Sequence, residues 1–490
     1  MSAATIADRR VHPLTIGLRV LRDLPRTVLA GPAVLAFMSD IGLWRAFALA
    51  GLIALVMLFF TWLGWSRFRY GIGERELVIE SGILHRNRRT IPFESIQDVD
   101  IEQKLLERLV GLFRLRVETG GGGKDEGLID SVRIEEAERL RGAIRAGKSK
   151  VPPATDGAPA ESRVLFAMGL PRVFLAGLFN FSLVFLAGLF AFLQTFDRLL
   201  PFDIYDPARW IGLVDRALPQ RFAFQAVAAV LLMALVLGVV AGMLGTLARE
   251  FGFRLTAEPG RLRRVRGMFT RSEAALSLRR LQVALLRSGP MRRAFGFSEL
   301  FFQSLGAGTD GGGRQSAAPL ARDAEIDPIL AETGRFRRPE PGSLAVVSRW
   351  HSARNLVKLV PVATILIMGV AFRPAFYPAL VLIPLLAGAA ILARRHHRFG
   401  LDDGLLFVAR GVWRRRLWIV PARHVQGLAL VRSPLQRMLG LATLAVDTAG
   451  ARATGGPAIV DLRLDSAEAL ARAVMRARSQ VSGKKSGTER

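Results

Sequence analysis

Cysteine is absent from the 490-residue chain, which excludes disulfides, thiolate zinc sites, iron–sulfur clusters and thiol nucleophiles. Histidine is scarce, with 6 in all. The two in "RRHHR" at 394–398, near Asp402 and Asp403, are sequence neighbours. On a helix such neighbours point about 100° apart, so they do not share a metal. No metal and no cofactor is expected. Acidic residues are outnumbered, 41 against 68 basic, for a formal net charge of +27. That excess suits an anionic membrane surface or nucleic acid. The polar N-terminus "MSAATIADRRVHP" lacks the apolar core and small-residue cleavage site of a signal peptide.

What the chain has in plenty is apolar length. It is 51% hydrophobic yet 22% charged, with a mean hydropathy of +0.29, as a membrane protein with large aqueous parts would be. Val173–Phe196, Phe222–Ala248, Ala46–Trp65 and Pro374–Ala393 are free of charge or nearly so. Each reaches the roughly 20 residues needed to cross a bilayer. Two shorter runs, Thr27–Ser39 and Leu359–Phe372, pair with their neighbours, with Lys358 and Arg373 snorkelling to the interfaces. Six spans in three hairpins result. Arginine and lysine flank the hairpins on the outside (Arg19, Arg22, Arg26, Arg67, Arg69; Arg163, Arg172, Arg249, Arg254; Arg349, Arg354, Lys358 and "RRHHR"). Both termini and the large polar segments are therefore expected in the cytoplasm.

The polar segments repeat. From Gly82, Gly267 and Gly411, three stretches align without a gap over about 40 residues. Four positions on stands arginine (Arg86, Arg271, Arg415) and fifteen on glutamine (Gln97, Gln282, Gln426). Arginine recurs at twenty-six (Arg108, Arg293, Arg437), and glycine at twenty-nine (Gly111, Gly296, Gly440) and thirty-nine (Gly121, Gly306, Gly450). The leading glycine predicts a tight hairpin turn between two strands. Pro92 and Pro421 end the return strand. A strand carrying the glutamine, a short amphipathic turn closed by glycine, two further strands and a helix complete the module. Those helices are read at 133–144 and 463–474, with a shorter one near "RDAEIDPIL" that Pro328 disturbs.

This pattern of paired membrane helices followed by a glycine, arginine, glutamine and arginine–glycine module, used three times, resembles the bacterial PH-like (bPH2, DUF304) membrane proteins of the YdbT-like group, from about Val11 to Arg478. The resemblance implies a pleckstrin-homology-like fold for each module and no established reaction. It also implies, as a partner, a smaller membrane protein carrying one such module. The second module departs from the pattern: Ser277 stands where the others have proline, and its helix is short.

The expected fold class is an α+β membrane protein, with six transmembrane helices as three hairpins, each followed by a cytoplasmic PH-like antiparallel β module with a C-terminal helix. The hairpins occupy 1–66, 164–248 and 349–395, and the modules 67–148, 249–333 and 396–478. Linkers fall at 149–163 and 334–348, and a disordered basic tail at 479–490. The expected location is the bacterial cytoplasmic (inner) membrane.

The best site candidates are the basic turns: Arg86, Arg88 and Arg89 in the first module, Arg271 in the second, and Arg414, Arg415 and Arg416 in the third. Arginine forks match phosphate oxygens, so these residues are expected to meet anionic lipid headgroups. The glutamines are expected to hold the fold. The glycine runs at 120–123 and 311–313 lack the lysine and helix start of a phosphate loop. No clustered nucleophile or acid–base pair appears, so the function expected is non-enzymatic: a membrane platform for lipid-headgroup or protein interaction, in envelope maintenance or defence. The alternative is a transporter or channel subunit with PH-like regulatory modules, against which stands the scarcity of charge inside the spans. Nucleic acid is not expected as a partner, because the orientation rule already accounts for the basic flanks.

Overall fold

A computed structural model describes residues 8–22, 43–83, 85–119, 127–148, 163–180, 220–304, 314–372, 374–449 and 456–486. It is a mixed α+β structure whose strands all pair antiparallel. Among the described residues three helices are long and apolar enough to cross a membrane: Leu232–Glu250, Trp350–Phe372 and Tyr377–His396. A shorter apolar stretch runs over Gly51–Arg67, the end of the helix Leu43–Arg67. The expected span at 27–39 and most of the one at 173–196 lie outside the described residues. The chain divides into two units, one made of 1–159, 167–253 and 265–275, the other of 160–166, 254–264 and 276–490.

In the first unit β1 (Arg69–Ile72), β2 (Glu76–Ser81) and β3 (Asn87–Pro92) form one small sheet. β4 (Ile96–Gln103), β5 (Leu112–Thr119) and β6 (Gly127–Arg133) belong to another. Leu77, Ile96, Leu115 and Ile129 are wholly buried between them. Ala137, Leu140 and Ile144, on one face of the helix Ile134–Lys148, close the same core, as their helical spacing requires.

The second unit holds the third module. There β14 (Ala345–Val346), β15 (Arg398–Asp402), β16 (Leu405–Arg410) and β17 (Arg415–Pro421) make one sheet side, and β18 (Val425–Val431), β19 (Leu441–Thr448) and β20 (Ala458–Arg463) the other. The closing helix runs from Leu464 to Ser486. It continues through residues read from the sequence as a disordered tail, because lengthening an established helix is cheap once its first turns exist. The second module's helix, Asp323–Glu332, is short and carries Pro328, yet buries Ile326, Ile329 and Leu330. The stretch read as a linker at 334–348 is held in place: Phe336 is buried against Phe302, and Arg337 meets Asp402 and Asp403 at 2.7 Å each.

Between these in the chain come β7 (Arg163–Ala167), β8 (Arg254–Glu258), β9 (Arg261–Arg266), β10 (Arg271–Ser277), β11 (Leu281–Ser288), β12 (Phe297–Ser304) and β13 (Arg314–Arg322). The modules are not self-contained sheets. β4 pairs with β10 (Arg271–Ser277), Gln103 facing Arg271 and Ile101 facing Glu273. β11 (Leu281–Ser288) pairs with β17 in the same way, Ser288 facing Arg415 and Leu286 facing Leu417. Counted from each leading glycine, the twenty-first residue of one module faces the fourth of the next at both joints. The recurring arginine locks the joint. Arg108 donates to the Met268 carbonyl at 3.0 Å, and Arg293 to the Val412 and Trp413 carbonyls at 3.2 and 3.1 Å. Each accepting carbonyl lies in the turn just after the next module's leading glycine.

The glycines serve as expected. Gly82, Gly267 and Gly411 have φ near +109°, +109° and +106°, and an added Cβ would strike the carbonyl three residues on. Replacing Gly411 by alanine is expected to destabilise by about 1–3 kcal/mol. Gly142→Ala, on an exposed helical position with open space, should stabilise by up to about 1 kcal/mol. Thermal unfolding of the full chain in detergent checks both, and equal effects would contradict the strain.

Two buried imidazoles give a pH signature. Burial, with His351 and Arg410 nearby, pushes His397 down to about 3. Burial pushes His424, which meets the Gln282 carbonyl at 3.3 Å, down to about 4. An unfolded chain takes up these protons near pH 6.5 whereas the folded one does not, so stability present above about pH 6.5 is lost on acidification toward about pH 4 for His424 and about pH 3 for His397. The unfolding midpoint should fall over that window, and His424→Gln should flatten the slope. A midpoint unchanged across it would contradict the burial.

Candidate anion-binding cleft

Where β11 meets β17, the register brings arginines side by side. Arg287 faces Arg416 across one strand pair, and Arg416 faces Arg410 across the next. Like charges directly opposite on a sheet destabilise it, so three in a row need a compensating negative charge. Among the described residues carboxylates bear on the row from its two ends: Glu299 faces Arg287 and is also engaged by Arg292, and Asp461 acts on Arg410.

This row lines a cavity of about 470 Å³, together with Arg293, Arg415 and His396. Burial lowers the Arg287 pKa from its ordinary value, and the Arg314 and Arg416 charges lower it further. Burial and then Arg416 do the same to Arg314 and to Arg410. Burial and Arg415 depress Arg293. Guanidinium groups stay protonated through such shifts, so the wall is a concentrated positive field in a partly dry place. Arg338, also on the rim, is neutralised by Asp323 and Asp327, each 2.7 Å away. His396 is the last residue of an apolar helix, Leu382–His396, and Arg415 lies 3.2 Å from its ring. The cleft thus opens beside the end of a helix long enough to cross a membrane.

The basic turns read from the sequence have separate fates. Arg415 and Arg416 line the cleft, and Arg414 is exposed at its turn. Arg86, Arg88 and Arg89 are exposed on β3 and the turn before it, with Arg88 3.6 Å from Glu80. Arg271 is exposed where β10 meets β4. The other arginines of the second module's first hairpin are taken up internally: Arg261 by Glu258 at 2.6 Å, Arg266 by Glu250 at 2.8 Å, and fully buried Arg264 by the Ser316 carbonyl at 3.0 Å. The glutamine column marks a β-bulge. The register slips at Gln97, Gln282 and Gln426 alike, which bends each strand at the same place. Gln282 is buried and Gln426 exposed, so the column follows the backbone irregularity rather than one side-chain contact. Gly111, Gly296 and Gly440 take φ values of +67°, +72° and +62° after their short helices. Gly121, Gly306, Gly450 and the glycine runs lie outside the described residues.

Sequence reasoning missed Arg287, Arg293 as a cleft residue, and Arg410, because strand pairing between modules brings them together. It also missed a buried polar position just before the arginine column. Glu107 accepts from Arg22 at 2.6 Å, tying the N-terminal residues to the module. The equivalent Gln436 donates to Asp461 at 2.7 Å. Asp461 also takes His351 at 2.6 Å and Arg354 at 2.8 Å from the start of the membrane helix Trp350–Phe372. Burial alone would raise the Asp461 pKa, but His351, Gln436 and Arg354 together hold it below the usual carboxylate value. The signal was a polar residue at the same place in every copy (Glu107, Arg292, Gln436), hidden because its charge differs each time.

Exposed apolar side chains stand in the turns and short helices that recur in each module. Phe269 and Trp413 project from the leading turns, and Leu109, Phe295 and Met438 from the short helices, all exposed. In the first unit the leading turn of the second module is bonded to the end of a membrane helix, Met268 N–H to the Ala248 carbonyl at 3.0 Å.

Comparison with known proteins agrees with this architecture. The bacterial PH domain family matches the chain three times, over residues 23–148, 207–331 and 355–478. The UPF0699 transmembrane protein YdbT of Bacillus subtilis (strain 168) is 23% identical over 320 residues, which is 61% of this chain and 63% of the relative. The alignment thus spans less than two thirds of that curated relative. Three matched copies, each taking in an apolar helix and the module after it, place the chain in a family: it belongs to the bacterial PH domain family, as a transmembrane protein with three copies of the domain.

Proposed function

We propose that the chain is a non-enzymatic platform in the bacterial inner membrane that recognises anionic lipid headgroups through the cleft between its second and third PH-like modules. The observation that carries the reading is the row Arg287, Arg416 and Arg410 at the mouth of a membrane helix. A phosphate seated there would relieve the mutual repulsion of the row and accept from several guanidinium forks. The exposed Phe269, Trp413, Phe295 and Met438 support the same reading, since apolar tips beside cations are what a surface seated in the headgroup layer presents. Six spans arranged as three hairpins, with both termini in the cytoplasm, complete the proposal. In that arrangement every joint lies at the inner leaflet, whose anionic lipids attract basic residues at about 1 kcal/mol each. A role in envelope maintenance or defence follows from a platform whose ligand is the membrane itself.

The test uses the full chain in nanodiscs of phosphatidylcholine with or without phosphatidylglycerol, with retained lipid counted by native mass spectrometry. Phosphatidylglycerol should be retained selectively, and Arg287→Gln or Arg416→Gln should weaken retention by about fivefold each. The same variants should unfold at the same or a higher temperature in pure phosphatidylcholine, because a like-charge contact has been removed. Unchanged retention in both variants, or equal retention of neutral lipid, would refute headgroup recognition by the cleft.

A further inference from the structure

At the joint between the second and third modules β11 offers its edge and β17 receives it. The anion-binding cleft takes up only one end of these strands. β16 and β17 pair from Arg410 facing Arg416, at the cleft, to Leu405 facing Pro421 at the other end. There, on the order of 20 Å further along β17, Gly404, Leu405 and Pro421 line a separate cavity of about 350 Å³ with Arg335, Arg337 and Arg423. Pockets that hold small ligands begin at roughly this size.

The repeat itself supplies two of the cations. Arg279 and Arg423 are the twelfth residue after the leading glycine in successive modules. Each sits in a short 3-10 turn, Leu278–Arg280 before β11 and Ala422–His424 before β18. A third cation comes from the strap that follows the second module's helix. Gly334 takes a φ of +60° and turns the chain, and Phe336 then buries against Phe302. Arg335, between them, is left facing the cavity, where it donates to the Arg279 carbonyl at 3.1 Å.

Its neighbours on the strap show what Arg335 lacks. Arg337 meets Asp402 and Asp403, and Arg338 meets Asp323 and Asp327. Asp403, also on the cavity wall, is thus already engaged. Among the described residues no carboxylate pairs with Arg335, Arg279 or Arg423. Burial, followed by the Arg423 and Arg279 charges, lowers the Arg335 pKa. Buried His424 lies in the same field: after burial, Arg423 and Arg335 hold its pKa down. Three cations thus converge on a cavity that contains no free counter-charge among the described residues.

We infer that this cavity binds the phosphate group of a small water-soluble molecule, with Arg335 and Arg423 forking its oxygens and Arg279 adding its charge. Guanidinium forks match phosphate oxygens two at a time. The headgroup layer of a bilayer is only about 5–8 Å thick on each side, so a lipid seated in the cleft beside His396 does not reach a site at the other end of β17. The two sites use different arginines, and either can fail alone.

The test uses the full chain in phosphatidylcholine nanodiscs, with inorganic pyrophosphate as the probe and isotope-labelled histidine rings followed by NMR. His424 reports on this cavity and His396, which lines the cleft, reports on that site. Pyrophosphate should shift the His424 resonance, identified by its loss in His424→Gln. Arg335→Gln and Arg423→Gln should each raise the half-saturating concentration about tenfold. Arg423 is exposed at its turn, so its substitution decides the matter should Arg335→Gln fail to fold. Arg416→Gln, in the cleft, should leave the His424 response unchanged. Discs containing phosphatidylglycerol, without the probe, should leave the His424 resonance where it stands in phosphatidylcholine. The inference is overturned by a His424 resonance that pyrophosphate does not move, by a response that survives Arg423→Gln, or by a shift that phosphatidylglycerol alone produces.

Discussion

Strand pairing between neighbouring modules is the constraint from which the other features follow. A PH-like module in this chain does not finish its own sheet: β4 leans on β10 and β11 on β17, in one register used at both joints. Backbone hydrogen bonds in a sheet have no tolerance for a one-residue slip, since every side chain would change face. A recurring register therefore fixes which side chains meet. The β-bulge at the glutamine column bends each offering strand, and the strained leading glycine shapes each receiving turn. The arginine column then ties turn to strand.

The accumulation of positive charge at the second joint is a consequence of that register. Arg287, Arg416 and Arg410 are far apart in sequence and would be solvated separately on independent modules. Brought onto adjacent strands, Arg287 and Arg410 hold their protons less tightly than usual, through burial and then neighbouring charges that include Arg416, and the row leaves a field that an anion would satisfy. The polar ties are separate contacts: Asp461 fastens the third module to the start of the apolar helix Trp350–Phe372, and Glu107 fastens the first to Arg22.

Much of this was legible in the sequence. The apolar runs announce the membrane, because length and lack of charge are local properties. The glycine columns announce turns, because only a positive φ demands glycine at such places. The three-fold repeat and its resemblance to bacterial PH domains follow from those columns, and the family match agrees. The shared sheets were not legible. Whether β4 ends a sheet or continues into β10 depends on a strand some 170 residues away, and no local pattern encodes it. The arginine row was invisible for the same reason: Arg410 and Arg416 flank a readable turn, whereas Arg287 lies in the preceding module. The buried position shared by Glu107, Arg292 and Gln436 was visible as a column but changes charge from copy to copy, so it did not register as one feature.

The claim that β11 and β17 form a single continuous sheet is tested most directly by joining them covalently within one chain. Ser288→Cys with Arg415→Cys, and Arg287→Cys with Arg416→Cys, should each place two thiols on facing residues. Mild oxidation of the full chain in its membrane should close at least one pair without changing the chain's mass class, and labelling of those thiols by a maleimide should fall accordingly. Full labelling of both pairs in folded protein, with no internal disulfide, would show that the modules stand apart and that the arginine row does not exist.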